Sequence, residues 1–222
     1  MGKTKGWFEA LIQGDRESIE EMLEQEPELM NARDSNGVSS VLTALYNNHP
    51  ELVQLLIEDC VQLDIFEAAA TGEVECLKNL LTSSPELVNA YSVDGFQPLG
   101  LAIFFGRPTA AKFLLEHGAE VNSPSHNHLQ VSPIHSAVAS QNVELVRLVL
   151  DHGADANALQ TGNFTALHGA AQIGSEEMIN LLLEHGANPN ARTINEQTPL
   201  TIAHAEGHKK AVELLRSHGG RG

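Results

Sequence analysis

Three short segments recur at an almost constant interval, and that interval limits the fold more than any other feature of the chain. Ser132-Pro133-Ile134-His135, Thr165-Ala166-Leu167-His168 and Thr198-Pro199-Leu200-Thr201 start 33 residues apart, and Gln97-Pro98-Leu99-Gly100 starts 35 residues before the first of them. A second motif keeps the same phase. It reads Leu115-Glu116-His117-Gly118-Ala119, Leu150-Asp151-His152-Gly153-Ala154 and Leu183-Glu184-His185-Gly186-Ala187, with a degenerate copy at Leu215-Arg216-Ser217-His218-Gly219. A period of this length marks units that cannot bury their apolar faces alone and stack on their neighbours to do so. One alanine tracks weaker copies to the N-terminus: Ala10, Ala44, Ala68, Ala102, Ala137, Ala170 and Ala203, at steps of 34, 24, 34, 35, 33 and 33. Seven units follow, at about 5–34, 35–60, 61–91, 92–126, 127–159, 160–192 and 193–219, within a single domain over residues 1–222. No linker, low-complexity stretch or separate catalytic domain is expected.

The physics of one unit can be read from Asn163–Ala191. Thr165 is suited to cap a first helix, its hydroxyl accepting from a backbone N–H one turn on. The next position is proline in other units (Pro98, Pro133, Pro199), which fits the first turn of a helix. Leu167, Ala170 and Ala171 make a buried stripe, small enough to let neighbouring helices approach closely. Gly174 ends the helix, where positive φ costs glycine little. A second helix over Glu176–Glu184 presents Met178, Ile179, Leu181 and Leu182 at helical spacing, and Gly186 ends it. Ala187-Asn188-Pro189-Asn190-Ala191 then leads into a hairpin-like finger. At the N-terminus, Glu17, Glu20, Glu21 and Glu24 form the polar outer side of a helix carrying Ile19, Met22 and Leu23, and Trp7 and Phe8 are expected to close the core beneath it.

Through these TPLH-like helix starts, AAxxG first-helix ends and LLxHGAxxNA second-helix ends, residues 7–219 resemble the ankyrin-repeat family. The match is close in units 3 to 7 and degenerate in units 1 and 2, and the short, alanine-rich units look like those of stand-alone bacterial ankyrin proteins. The resemblance implies an all-α repeat solenoid of about seven helix-turn-helix units with short β-hairpin-like fingers. It also implies a non-catalytic adaptor or inhibitor that holds a partner protein in a concave groove, by its finger tips and inner helices.

Departures from the pattern are local. The step from Ala44 to Ala68 is short by about ten residues, and the Gly-Ala and finger residues are missing between Leu56 and Phe66. A missing finger and a notch between the second and third units are expected there. A two-residue insertion falls in Asn122–Leu129, so that finger should be longer; insertions in repeat proteins map to loops on one face, often the binding face. Gln141 and Asn48 replace the helix-ending glycine.

Charge and composition narrow the functions. The net charge is -16, and residues 1–94 alone hold 18 acidic and 5 basic residues. Such a surface repels nucleic-acid phosphates and anionic membranes, and favours either plain solubility or a partner with a basic surface. No apolar run approaches the roughly 18–20 residues of a membrane helix. The start has no signal-peptide stretch, and Gly6 stands where myristoylation wants Ser or Thr. Cys60 and Cys76 lack the spacing of a zinc site and read as reduced thiols of a cytoplasmic chain. Of 11 histidines, His135 and His168 belong to the TPLH-like motif and can tie adjacent fingers. His117, His152, His185 and His218 sit at second-helix ends, and His49 and His208 follow first-helix ends. His126 and His128 have no third ligand, so neither a metal site nor any other cofactor is expected. No GxSxG, P-loop or HExxH motif is present, and no enzyme is expected.

The candidate partner-binding residues lie where the family's groove would be. Two and three places after each tracking alanine come inner-helix positions, among them Tyr46, Phe104, Phe105, Gln172 and Ile173; finger positions add Phe96, Leu129 and Phe164. The four phenylalanines are expected to form an aromatic patch that serves as a hot spot, unless Phe104 and Phe105 pack beneath the long fourth finger or against each other. The chain is expected to be a monomer, with self-association through the groove or an end as the competing reading.

Overall fold

The TPLH-like segments become helix caps whose histidine has two jobs. In the computed structural model, which describes residues 2–57 and 63–222, the Thr165 hydroxyl accepts from the His168 backbone N–H. The His168 Nδ1 in turn accepts from the Thr165 backbone N–H at 3.1 Å and from its hydroxyl at 2.8 Å. An accepting Nδ1 leaves the ring proton on Nε2, which donates to the carbonyls of Ala191 and Gln197 in the next finger. One neutral imidazole thus closes its own cap and ties two repeats. Burial lowers the pKa of His168 and of His135, which supports the neutral form. His135 Nδ1 likewise accepts from the Ser132 backbone N–H, while its Nε2 lies near the backbone of Ala158 and Phe164 without forming a well-aligned hydrogen bond.

Fourteen α-helices among the described residues follow one another in seven sequential pairs. They are α1 Gly2–Gln13 with α2 Arg16–Gln25, α3 Ser40–Tyr46 with α4 Pro50–Leu56, α5 Ile65–Thr71 with α6 Val74–Ser83, and α7 Pro98–Phe104 with α8 Pro108–Glu116. Then come α9 Pro133–Ala139 with α10 Val143–Asp151, α11 Ala166–Ile173 with α12 Glu176–Glu184, and α13 Pro199–Ala205 with α14 Lys209–Ser217. Packing divides the chain into two bodies, Met1–Ala110 and Ala111–Gly222, where the repeat pattern read one domain.

Within the N-terminal body, first helices stack in the order α1, α3, α5, α7. Within the C-terminal body, first helices stack as α9, α11, α13 and second helices as α10, α12, α14. Every tracking alanine is buried, and all but Ala10 are fully inaccessible. A methyl group at that place lets neighbouring first helices approach closely. Trp7 closes the N-terminal end as expected: it is fully buried, and its indole N–H donates to the Ser40 hydroxyl at 2.9 Å.

Glycine is required where the next repeat reaches back. His49 Nε2 bonds the Ile12 carbonyl, Arg107 Nε the Ala70 carbonyl and His208 Nε2 the Gln172 carbonyl. These side chains lie across Gly14, Gly72 and Gly174, which all have positive φ. A Cβ on Gly174 would stand 2.5 Å from the His208 ring. Asn48 and Gln141 take the same left-handed backbone without glycine.

Second-helix ends are satisfied in two ways. The Nδ1 atoms of His117, His152, His185 and His218 bond the carbonyls four residues back, at 2.8 to 3.0 Å. In the C-terminal body an asparagine then clasps the following repeat. Asn122 Nδ2 donates to the Gly153 carbonyl and its Oδ1 accepts from Asp155 N–H. Asn157 does the same to Gly186 and Asn188, and Asn190 to Gly219 and Arg221. In the N-terminal body the loops after α2 and α6 are instead 3-10 turns, Pro27–Asn31 and Pro85–Asn89. Both carry Pro-Glu-Leu-x-Asn-Ala, a second internal repeat.

Fingers are hairpin-like but too short for a sheet. Backbone N–H to carbonyl bonds close them from Asp34 to Val38, Ser92 to Phe96, Gln160 to Phe164 and Thr193 to Gln197. The fourth-unit finger closes from Ser125 to Val131, two residues wider, so the inserted residues lengthen it as expected. The residue before each closure has positive φ: Gly37, Gly95, Gln130, Asn163 and Glu196. In the C-terminal body the tips join, with Thr161 N–H donating to the Leu129 carbonyl and Ile194 N–H to the Gly162 carbonyl.

Residues 58–62, where the missing finger was expected, lie outside the described residues. A cavity of about 410 Å³ is lined by Leu45, Val53, Ile57, Thr71 and Arg107, among others. On the finger side a Cβ on Gly37 would stand 3.2 Å from Val93, so the second and fourth fingers touch. Cys76 on α6 is buried and disulfide-bonded, which corrects the expectation of reduced thiols.

The third repeat replaces the Thr/His pair with Asp64 and Glu67. Asp64 accepts from the N–H groups of Phe66 and Glu67, Glu67 accepts from the Asp64 N–H at 2.8 Å, and Arg33 pairs with Asp64 at 2.8 Å. Glu67 is buried, and burial first, then the charge of Asp64, raises its pKa above 4.5.

Two predictions follow from these packing details. Gly174→Ala should lose at least about 1 kcal/mol more stability than Gly186→Ala, which has positive φ but open space. Equal losses on urea unfolding would show that the His208 contact contributes nothing. For Glu67 the raised pKa means that its contribution is complete below the unfolded value and is lost as pH rises through the folded one. Glu67→Gln keeps the accepting oxygen, so the variant should gain on wild type as pH rises over the range above the ordinary carboxylate value. Parallel stability curves across that range would refute the assignment.

Candidate protein-binding surface

Apart from Val93 at a finger tip, the exposed large apolar side chains of the N-terminal body lie at the ends of first helices. Tyr46 ends α3 and Phe104 ends α7; they are 38% and 48% exposed. Phe105, the residue after α7, is half-buried between them. Its ring lies 5.5 Å from Tyr46 and 5.1 Å from Phe104, edge-on to the latter at 82°. Helix α5 lies between α3 and α7 and ends in Ala68-Ala69-Ala70 and Thr71, so no large side chain separates the two rings. Such offset and edge-to-face pairs add about 0.5–1.5 kcal/mol each to the area they bury.

A polar bond locks this cluster. The Tyr46 hydroxyl donates to Asp94 Oδ2 at 2.6 Å, and the Ser92 hydroxyl donates to the other Asp94 oxygen. Burial around the hydroxyl, then the hydrogen bond to Asp94 and its charge, push the tyrosine pKa up, so the hydroxyl stays protonated and donating. Asp94 sits in the finger closed by Ser92 and Phe96, which leaves Phe96 half-buried beside the cluster.

The sequence-expected residues therefore separate. Tyr46, Phe104 and Phe105 come together, with Phe96 in the finger that holds Asp94. Phe164 falls in the C-terminal body, 5.2 Å from the His168 ring and against Gly169, so the four phenylalanines do not form one patch within a body. Leu129 is 44% exposed at a finger tip, with its carbonyl bonded to Thr161. Gln172 is exposed and Ile173 half-buried at the end of α11, where the Gln172 carbonyl serves His208. Phe105 packs between Tyr46 and Phe104, and Phe104 leaves part of its ring exposed.

Sequence reasoning missed Val93, Leu159 and Ile194, which are exposed at finger tips. It also missed the Tyr46–Asp94 bond, which joins residues 48 apart. The tip residues had a signal, since each is a lone aliphatic among turn formers. The tyrosine bond had none, because only the stacking of α3, α5 and α7 brings its partners together.

Comparison with known proteins agrees with this architecture. A family model for ankyrin repeats in three copies matches residues 65–125 and 134–221. The ankyrin repeat domain-containing protein SAT10 of Stachybotrys chartarum is 27% identical over 170 residues, which is 75% of this chain and 9% of that protein. The putative ankyrin repeat protein FPV024 of Fowlpox virus is 31% identical over 104 residues, 46% of this chain and 17% of that protein. Human ankyrin repeat and SOCS box protein 11 is 34% identical over 91 residues, 41% of this chain and 27% of that protein. The chain spans well under a third of each of these relatives. Ankyrin repeats are generally protein–protein interaction modules without enzymatic activity. Among the described residues no helix is long and apolar enough to cross a membrane. With the family model covering well over half of its length, this chain belongs to the ankyrin-repeat family.

Proposed function

We propose that the chain is an adaptor or inhibitor that binds another protein along the inner ends of its first helices and its finger tips, and that it is not an enzyme. The observation that carries this reading is Phe104, a large aromatic side chain left 48% exposed beside a rigid cluster. Aromatic residues on a fixed support are typical anchors of protein interfaces, and contiguous exposed apolar surface on a soluble protein marks such sites. Tyr46, Phe96 and Phe105 support it in the N-terminal body. Leu129, Phe164, Gln172 and Ile173 are the corresponding candidates in the C-terminal body. The acidic surplus favours a partner with a basic surface over nucleic acid or membrane. No cofactor enters this reading, and the chain acts as a monomer. Its compartment is tied to Cys76, because disulfides last in oxidising surroundings and are transient in reducing ones.

The test is affinity capture from native extract with wild type, Phe104→Ala and Phe105→Ala side by side. Phe104→Ala should lose about 0.5–1.5 kcal/mol with its edge-on pair to Phe105, keep the fold, and lose a captured protein. Phe105→Ala should lose roughly 1–3 kcal/mol, through its packing against Tyr46. Capture that survives Phe104→Ala unchanged would remove the proposed surface.

A further inference from the structure

The residue two places after the buried alanine holds the same register in every first helix. In the N-terminal body it is Ile12, Tyr46, Ala70 and Phe104; in the C-terminal body it is Ala139, Gln172 and Ala205. Ile12 is 51% exposed, and with Tyr46 and Phe104 it makes an apolar row along the stacked α1, α3, α5 and α7. The fully buried Ala70 lies between Tyr46 and Phe104 in that row. The equivalent row of the C-terminal body lacks large apolar side chains. Four helices at about 8–10 Å separation span roughly 25–30 Å, the length of some eight or nine extended residues.

The same body carries the charge. Residues 1–110 hold 18 acidic and 6 basic residues. Its described basic side chains are already engaged. Lys5 pairs with Glu9, Arg16 with Glu20, Arg33 with Asp64 and Lys78 with Glu75, and Arg107 donates to the Ala70 carbonyl. The surplus of this body is negative, and Asp94 stands within the aromatic cluster itself. An acidic segment is repelled by such a surface, and so is a second copy of this chain, whose net charge is -16.

We infer that the Ile12–Tyr46–Phe104 row seats an extended, arginine-bearing segment of a partner protein, with aliphatic side chains on Ile12 and Tyr46 and a guanidinium stacked on Phe104. Arginine fits better than lysine because its planar, weakly hydrated head stacks on an aromatic ring while keeping donors for carboxylates. This rests on the interaction-module reading and adds the location and chemistry of the partner.

The test uses the full chain and a labelled synthetic peptide of about nine alternating Arg and Leu residues, with Lys and Glu versions, read by fluorescence anisotropy at low and high salt. The Arg peptide should bind and weaken with salt. It should bind roughly tenfold more weakly to Phe104→Ala and to Ile12→Ser, and unchanged to Ile194→Ser in the other body. Phe104→Leu keeps apolar area without the ring and should also lose affinity, which covers the case that alanine disturbs the fold. The Lys peptide should bind several-fold less well than the Arg peptide, and the Glu peptide not at all. Absence of Arg-peptide binding, equal binding of the Glu peptide, or indifference to both Phe104 variants would each overturn the inference. If Phe104→Ala abolishes capture from extract while the Arg peptide fails to bind, the interaction surface stands and its cationic partner falls.

Discussion

The close approach of first helices, set by one buried alanine per repeat, is the constraint on which the remaining structure depends. A larger side chain at Ala44, Ala68, Ala102, Ala137, Ala170 or Ala203 would have to enter space where none is accessible. Because each first helix after α1 is only about two turns long, it has little stability of its own and owes its form to its neighbours. The side chains that cross from one repeat to the next therefore act at once on packing and on local conformation. His208 exemplifies this, lying over Gly174 while it bonds the carbonyl of Gln172.

Hydrogen bonding supplies the register that apolar packing leaves loose. Short helices expose many terminal carbonyls and N–H groups relative to their length. In the C-terminal body the neighbouring repeat satisfies a large part of them, through Asn122, Asn157 and Asn190 and through His168. These bonds are directional, so they fix how far one repeat can slide on the next, which burial alone does not. The N-terminal body uses different parts for the same need: two 3-10 turns, the Asp64–Glu67 capping box and the Arg33–Asp64 pair. The degenerate repeats there have lost the motif and kept the requirement.

Divergence in the N-terminal body also accounts for its distinct surface. Regular repeats place Ala, Gln and Ala at the end of the first helices, which gives little to hold. Ile12, Tyr46 and Phe104 depart from that pattern, and the touching second and fourth fingers bring Asp94 within reach of Tyr46. The resulting cluster is rigid, because its tyrosine is held at the hydroxyl and its central phenylalanine at both neighbours. Rigidity lowers the entropy lost on binding, which favours such a surface as a docking site.

Sequence alone determined the repeat number, the helix pairs, the caps at Thr165 and Thr198, and the buried alanines. Each of these is a local or periodic property: a cap needs a residue a few places from the backbone it serves, and a buried face recurs every turn. It also determined that Phe104 and Phe105 matter together, but not how they divide the work. Tertiary structure decided that division, along with the Tyr46–Asp94 bond, the contact of Gly37 with Val93 and the pairing of Arg33 with Asp64. Each of these joins residues at least 31 apart in the chain. Their meeting depends on the angle and spacing at which short helices stack, and that is a sum over many contacts which no single residue records.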